Sequence, residues 1–538
     1  MITRLNILHR SDFAHRLQRV LPWPVLVLTV ATLLSAGCGA PAETNEADNT
    51  VVTPSPPVAK SLVVRPPPVA AGKTESGNTT ADGTSNGATS NEPERSTDSD
   101  SAETAPLAPR PVVEFRPLDR RAAEAMGIRI LSGKHLELWT DVPSKPEVDE
   151  LPQMFDQAFP QWCRYLGIDS SKHDDWRVRG FLIEDKELFR TAGLLPRDLP
   201  RFINGFARPP ELWLYNQSSD YYRRHLLLHE GVHSVMFMLQ NSNGPPWYME
   251  GIAELLATHR LKNGQLQVGV LPQNATEVPK LGRIEIIQTD FARQLGRSLA
   301  EVLAYDNRAH LQNEAYGWSW GAVAFLDGHP RYQNRFRKLV QQSASGEFNA
   351  VLLKLYQGDQ QQIALDWLDF VASIDHGYDF RRTWIEYQAG KPLTPERKRA
   401  IVQVAADRGW QGSGVQLKQG ERYRIAARGE YQIANTTKPW ISEPNGVTIR
   451  YHNGRPLGLL MGAIIPDESN GGATTAATEQ IAVANDDIGT FMKPLEIGLN
   501  TTFVAPRTGT LYLRINDSAG ELKDNVGNAE VAIVRMAE

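Results

Sequence analysis

The sequence predicts an α+β domain followed by an all-β sandwich, with an export segment and a structureless tether ahead of them. Three observations predict this order. Between about 112 and 395, short β-like runs give way to long stretches with apolar residues at helical spacing. From 396 onward, short alternating runs are separated by Gly, Asn and Asp turns. Before 112 lies a segment with no aromatic residue, dense in Pro, Ser, Thr, Asn, Glu and Ala.

A chain of 538 residues is longer than one hydrophobic core usually serves. Its formal net charge is −5, so no basic surface argues for nucleic acid. Cys38 and Cys163 are the two cysteines, which excludes a disulfide framework and a cysteine-rich zinc site.

Residues 1–37 have the layout of a targeting segment. Arg4, Arg10, Arg16 and Arg19 precede an apolar run from Val25 to Leu34, which is short for a membrane span. The run ends in Leu34-Ser35-Ala36-Gly37-Cys38. This resembles a bacterial lipoprotein signal. The resemblance implies cleavage before Cys38, lipid on its sulfur, and a protein exported to the cell envelope and anchored to a bacterial membrane; plain secretion is the alternative. Residues 38–111 cannot bury enough apolar surface to offset their ordering entropy, so they read as a disordered tether.

Ordered sequence begins near Val112. Leu136–Thr140 alternates like a strand, and Leu151–Leu166 has helical spacing. That helix carries Cys163, read as a small buried hydrophobe. Arg177–Ile183 reads as a second strand, followed by a helix through Glu187-Leu188-Phe189, and Glu211–Tyr215 as a third strand.

Next comes His229-Glu230-Gly231-Val232-His233, a His-Glu-x-x-His pattern inside a helical stretch. Residues four apart sit above one another on a helix, so His229 and His233 can bind one Zn²⁺ while Glu230 stands beside them. After Pro245-Pro246, a second helix carries Glu250, 17 positions beyond His233, and Glu254 one turn further on. Glu250 completes the three protein ligands of a catalytic zinc. Glu254 is placed to accept the free N–H of a ligating histidine. His225 sits eight residues before His233, about 12 Å along the axis, too far to share one ion. It reads as a solvent-facing or supporting group. His259 reads as pointing away from the site, and Tyr248 as packing.

With Trp247, Glu250, Gly251 and Ala253 following the His-Glu-x-x-His pattern, this region resembles the gluzincin metallopeptidases of the peptidase MA-like type. The resemblance implies a zincin-like (thermolysin/gluzincin-type) catalytic domain acting on peptide or protein. It implies an oxyanion-stabilising role for Tyr316, in Tyr316-Gly317-Trp318-Ser319-Trp320-Gly321-Ala322-Val323. It also suggests Glu211–Tyr215 as an edge strand that pairs with extended substrate. Residues 320–326, 334–342, 348–356 and 363–374 read as further helices.

Beyond 396, Tyr423–Ala427, Val447–Tyr451, Thr510–Ile515 and Ala529–Val534 read as strands of a sandwich. The loop Asn516–Gly527 places Asp517, Asp524 and Asn525 within nine residues, hard oxygens suited to Ca²⁺. Through Trp410–Val415, Gly458–Ile464 and Asn516-Asp517, residues 400–536 resemble the galactophilic lectins of the PA-I type. The resemblance implies calcium on Asp517, Asp524, Asn525 and the Glu521 backbone carbonyl, and a glycan or glycoprotein partner.

The sequence therefore points to zinc-dependent peptide hydrolysis with Glu230 as general base, directed by a lectin-like module. A catalytically inactive peptidase-like scaffold that binds carbohydrate or protein is one alternative. A carbohydrate-active enzyme is another.

Overall fold

The computed structural model describes residues 114–309, 312–467 and 489–537. Cys38 and the expected export segment 1–37 and tether 38–111 lie outside the described residues.

The first half is built on a five-stranded mixed sheet. It comprises β1 (Arg129–Ser132), β2 (Leu136–Thr140), β3 (Val178–Ile183), β4 (Gly205–Arg208) and β5 (Glu211–Tyr215), in the spatial order β1-β2-β3-β5-β4. β2, β3 and β5 run parallel, and the two flanking strands are antiparallel to their neighbours. Glu211–Tyr215 is therefore an interior strand, not the edge. Its Leu212-Trp213-Leu214 run is buried throughout, as a strand covered on both faces must be. The edge on that side of the sheet belongs to Gly205–Arg208, whose four residues are all half-buried.

Helix α1 (Leu151–Leu166) covers the sheet with Leu151, Met154, Phe155, Ala158, Phe159, Trp162, Cys163 and Leu166, all buried. Gly167 ends it in the left-handed region at φ 73°, where glycine carries no Cβ penalty. Helix α2 (Asp220–Met238) starts at Ser219, whose hydroxyl accepts from the Tyr222 N–H. It is buried along most of its length. Helix α3 (Pro246–Ala257) opens with a proline in its first turn. A hairpin follows, β6 (His259–Lys262) with β7 (Gln265–Val268). Then come α4 (Arg283–Ala292), α5 (Asn313–Gly328) and α6 (Gln360–Ser373). Two glycines set how closely these helices approach. A Cβ on Gly231 of α2 would lie 2.5 Å from the Phe155 ring of α1. One on Gly251 of α3 would lie 2.5 Å from the Ser319 carbonyl oxygen of α5.

The second half is a two-layer sandwich. Its small strands β8 (Lys391–Pro392), β12 (Tyr431–Asn435), β13 (Pro439–Ser442) and β16 (Leu495–Glu496) flank the larger ones. One sheet joins β10 (Gln411–Leu417), β14 (Asn445–His452), β15 (Arg455–Ile465) and β18 (Gly509–Ile515), in the order β14-β15-β18-β10-β8. The other joins β9 (Arg399–Ala405), β11 (Arg422–Arg428), β17 (Asn500–Val504) and β19 (Asn528–Arg535), in the order β17-β11-β19-β9. Val415, Leu417, Ile425, Leu460, Leu511, Leu513, Val531 and Ile533 fill the space between them. The buried alternation along β19 is the period-2 pattern of such a layer.

Both halves fall in one compact unit. The Trp410 indole N–H donates to Asp369 of α6 at 3.1 Å, and Ser518 Oγ donates to Asp375 at 3.1 Å. The Asp379 N–H donates to the Ala519 carbonyl at 3.2 Å. Residue 520 must be glycine there, because a Cβ would collide with the His376 carbonyl oxygen.

Asp366 and Asp369 of α6 are both buried. Asp366 accepts from the hydroxyls of Tyr332 at 2.6 Å and Tyr387 at 2.9 Å. Burial pushes its carboxyl up to about 7 and that of Asp369 up to about 6. A carboxyl raised in the folded state favours folding while protonated. Its contribution is complete below the unfolded value of about 4 and is lost as pH rises through the folded value. Thermal melts should therefore fall as pH rises from about 5 to about 8, and Asp366→Asn should flatten that fall. An unchanged slope in the variant would show that the Asp366 carboxyl is not raised by the fold.

Candidate metal and active site

Helix α2 presents His229 and His233 one turn apart, and α3 brings Glu250 against both. His229 Nε2 lies 3.1 Å from His233 Nε2 and 3.2 Å from Glu250 Oε2. His233 Nε2 lies 3.4 Å from the same oxygen. Ligands about 2.0–2.1 Å from one ion at tetrahedral angles stand about 3.3 Å apart. The three donor atoms thus already have the mutual spacing of a zinc ligand set. Glu250 Oε2 is a buried atom, and both ring nitrogens stand close to it. Two imidazoles and a carboxylate with these distances fit a Zn²⁺ ion.

The charges suit a cation at this position. Burial works against a charged His229, yet the Glu250 and Glu254 carboxylates outweigh it and push the ring up to about 10. Burial likewise works against a charged Glu250, and the two histidines hold it well below the usual carboxylate range. A proton here occupies the role a metal would take, so metal and proton compete.

Glu230 is buried on the same helix, and burial raises its carboxyl above the ordinary value. Its Oε1 packs so closely against Gly205 of the edge strand that a Cβ there would force the carboxylate to shift. Gly205 is a site residue that sequence reading passed over. Tyr316, near the start of α5, has its ring centroid 6.0 Å from that of His229. Burial and the Glu250 and Glu230 carboxylates raise its hydroxyl well above the ordinary phenol value, so it stays protonated as a donor. Tyr316 and Glu250 line a small apolar recess with Pro246, Tyr305, Ala315 and Ser319.

Glu254 takes a supporting place, with Oε1 3.3 Å from His229 Nδ1. His225 is not solvent-facing. It is fully buried, and its Nε2 lies 3.0 Å from Glu254 Oε2. His259 is not on the helix at all. It begins β6, with its ring stacked 4.3 Å from Tyr221 and its Nε2 accepting from Arg224 at 2.7 Å.

In the sandwich loop, Asn525 Nδ2 donates to Asp517 Oδ2 at 2.8 Å, and Asn525 Oδ1 is buried without a partner. Burial pushes Asp517 up to about 6. The Asp524 carboxylate accepts from the Asn435 N–H at 2.8 Å. The Glu521 carboxylate turns outward to Arg450 at 3.0 Å. The structure thus joins Asp517 to Asn525, while one Asp524 carboxylate oxygen accepts from Asn435. Among the described residues, both clusters of three His or acidic ligands lie in the first half.

No family model matches this chain, and no curated protein does. Solved structures give distant neighbours. An aminopeptidase N family protein from Idiomarina loihiensis is 11% identical, covers 76% of this chain and 69% of its own, and has a TM-score of 0.26. The IMPa metallopeptidase in complex with T-antigen is 12% identical, covers 78% of this chain and 44% of its own, and has a TM-score of 0.15. The EclA N-terminal domain, a PllA-like lectin, is 22% identical, covers 26% of this chain and 96% of its own, and has a TM-score of 0.18.

Elemental analysis of purified protein should find about one zinc per chain, by the three-ligand count. His233→Ala should abolish it. A fully loaded His233→Ala protein would place the metal elsewhere.

Proposed function

We propose that this chain is a zinc metallopeptidase that hydrolyses peptide bonds, with His229, His233 and Glu250 as ligands and Glu230 as general base. The observation that carries the reading is the 3.1–3.4 Å triangle of donor atoms on neighbouring helices, with the Glu230 carboxylate buried on the same helix. A bound zinc supplies a Lewis acid that polarises carbonyls and acidifies water.

The chain's own residues do the rest. Glu230 takes a proton from the attacking water and delivers it to the leaving amine. Its raised carboxyl brings it nearer the proton affinity that this exchange needs. Tyr316 donates its hydroxyl hydrogen to the developing oxyanion. Extended substrate adds to the free edge of β4, not to β5, because β4 is the edge and its Gly205 lies against Glu230. The complete Glu230, Glu250 and Glu254 set favours this over an inactive scaffold.

The flanking segments are read as targeting devices. Lipid on Cys38 would hold the enzyme at a bacterial envelope membrane, a reading supported by the residues before that cysteine. The sandwich, supported by its lectin-like sequence pieces, would hold glycan or glycoprotein. Calcium would sit near Asp517 and Asn525, two buried side chains hydrogen-bonded to each other, where the Asn525 amide oxygen Oδ1 is buried without a hydrogen-bond partner.

Glu230→Gln should keep zinc and lose peptide hydrolysis by several orders of magnitude, since the base goes and the ligands stay. Tyr316→Phe should lower kcat about ten- to thousand-fold, as for one oxyanion donor. Hydrolysis that survives Glu230→Gln would refute the mechanism. Cys38→Ser should release the protein from the membrane fraction, and unchanged fractionation would rule out the anchor. Added Ca²⁺ at about millimolar concentration should raise the melting temperature of the zinc-loaded chain, and Asp517→Ala should remove that rise. A calcium-independent melt in the unaltered chain would remove calcium from the account.

A further inference from the structure

We infer that Arg283 is a positioning residue for the metal centre, acting through Glu254. The inference rests on the zinc reading above and adds a residue which that reading does not contain.

Two groups of convergent ligands occur among the described residues, His229/His233/Glu250 and His225/His229/Glu254. They share His229. Its two ring nitrogens face opposite ways, Nε2 toward Glu250 at 3.2 Å and Nδ1 toward Glu254 at 3.3 Å. Something must decide which side takes a metal.

Arg283 supplies the decision. It is the first residue of α4, and Gly282 before it turns in the left-handed region at φ 68°. Its guanidinium grips both Glu254 oxygens, Nε to Oε2 at 2.8 Å and Nη2 to Oε1 at 2.9 Å. Arg283, Glu254 and His225 are all buried. A positive charge within hydrogen-bond distance of both oxygens neutralises the carboxylate that a second cation would need, and it repels that cation directly. The His225/His229/Glu254 group is therefore an ion-paired support and not a metal site.

The fork does more than fill a charge. A bidentate guanidinium fixes the plane of the carboxylate, which a lysine ammonium cannot do. With that plane fixed, Oε1 stays beside His229 Nδ1, and the ring is held with Nε2 toward His233 and Glu250. The same guanidinium lies 5.6 Å from the Tyr316 ring centroid.

The test uses the full chain and four variants: Arg283→Met, Arg283→Lys, Glu254→Gln and the double Arg283→Met/Glu254→Gln. Zinc affinity is measured by competition with a chromophoric chelator, and folding by the melt of the zinc-free protein. Arg283→Met should weaken zinc about ten- to hundred-fold, the usual effect of removing an outer partner of a ligand. The double variant should be no weaker than the weaker single one, because the two residues act as a unit. Arg283→Lys keeps the charge and loses the fork, and should bind several-fold more weakly than the unaltered chain. It decides the matter if the methionine variant does not fold. Unaltered zinc affinity in folded Arg283→Met or Arg283→Lys overturns the inference, as do additive effects in the double variant. Absence of zinc from the unaltered chain would instead overturn the zinc reading itself.

Discussion

Glu254 is the contact on which the rest of the site depends. A carboxylate buried this deeply is costly unless its lone pairs are met by charge and by donors. Burial alone would raise its pKa, yet Arg283 and His225 hold it well below the usual range. That arrangement requires α2, α3 and α4 to converge, because His225 and His229, Glu254, and Arg283 come from one each. The convergence is possible only at close range. Gly231 lets α2 settle on the aromatic face of α1, and Gly251 lets α3 settle on α5. The triangle of His229, His233 and Glu250 donor atoms sits on α2 and α3, the two helices that those approaches help to seat.

The edge strand completes the picture from the other side. β4 is short, antiparallel and half-buried, and its first residue has no side chain. That lets the Glu230 carboxylate reach the strand backbone. A base must be close to where water and peptide meet, and an open strand edge is where an extended chain can pair. Under the proposed reading, the same glycine serves both the base and the substrate path.

Much of this was legible in the sequence, and the residues show why. Leu151–Leu166 is found with the predicted bounds, because its apolar spacing is regular and Gly167 stops it. Leu136–Thr140 and Glu211–Tyr215 are strands as their composition predicts. His229, His233 and Glu250 converge because helical spacing fixes the first two and a short connection fixes the third. The role of Glu211–Tyr215 was misread as the edge, because Gly205-Phe206-Ala207-Arg208 carries little β-propensity of its own and only sheet order reveals it. Arg283 was invisible for a related reason. It is 29 residues from Glu254, and no local pattern marks a charged residue whose partner is set by tertiary packing. Distance along the helix separates His225 from His233, but distance alone could not show its burial beside Glu254.

The central claim is that one metal ion is held by His229, His233 and Glu250. Anomalous X-ray scattering at the zinc edge, from crystals of the zinc-loaded chain, tests it most directly. The account predicts one strong peak in the first half, about 2.0–2.1 Å from both Nε2 atoms and from a Glu250 oxygen. A peak beside His225 and Glu254, or no peak between α2 and α3, would contradict it.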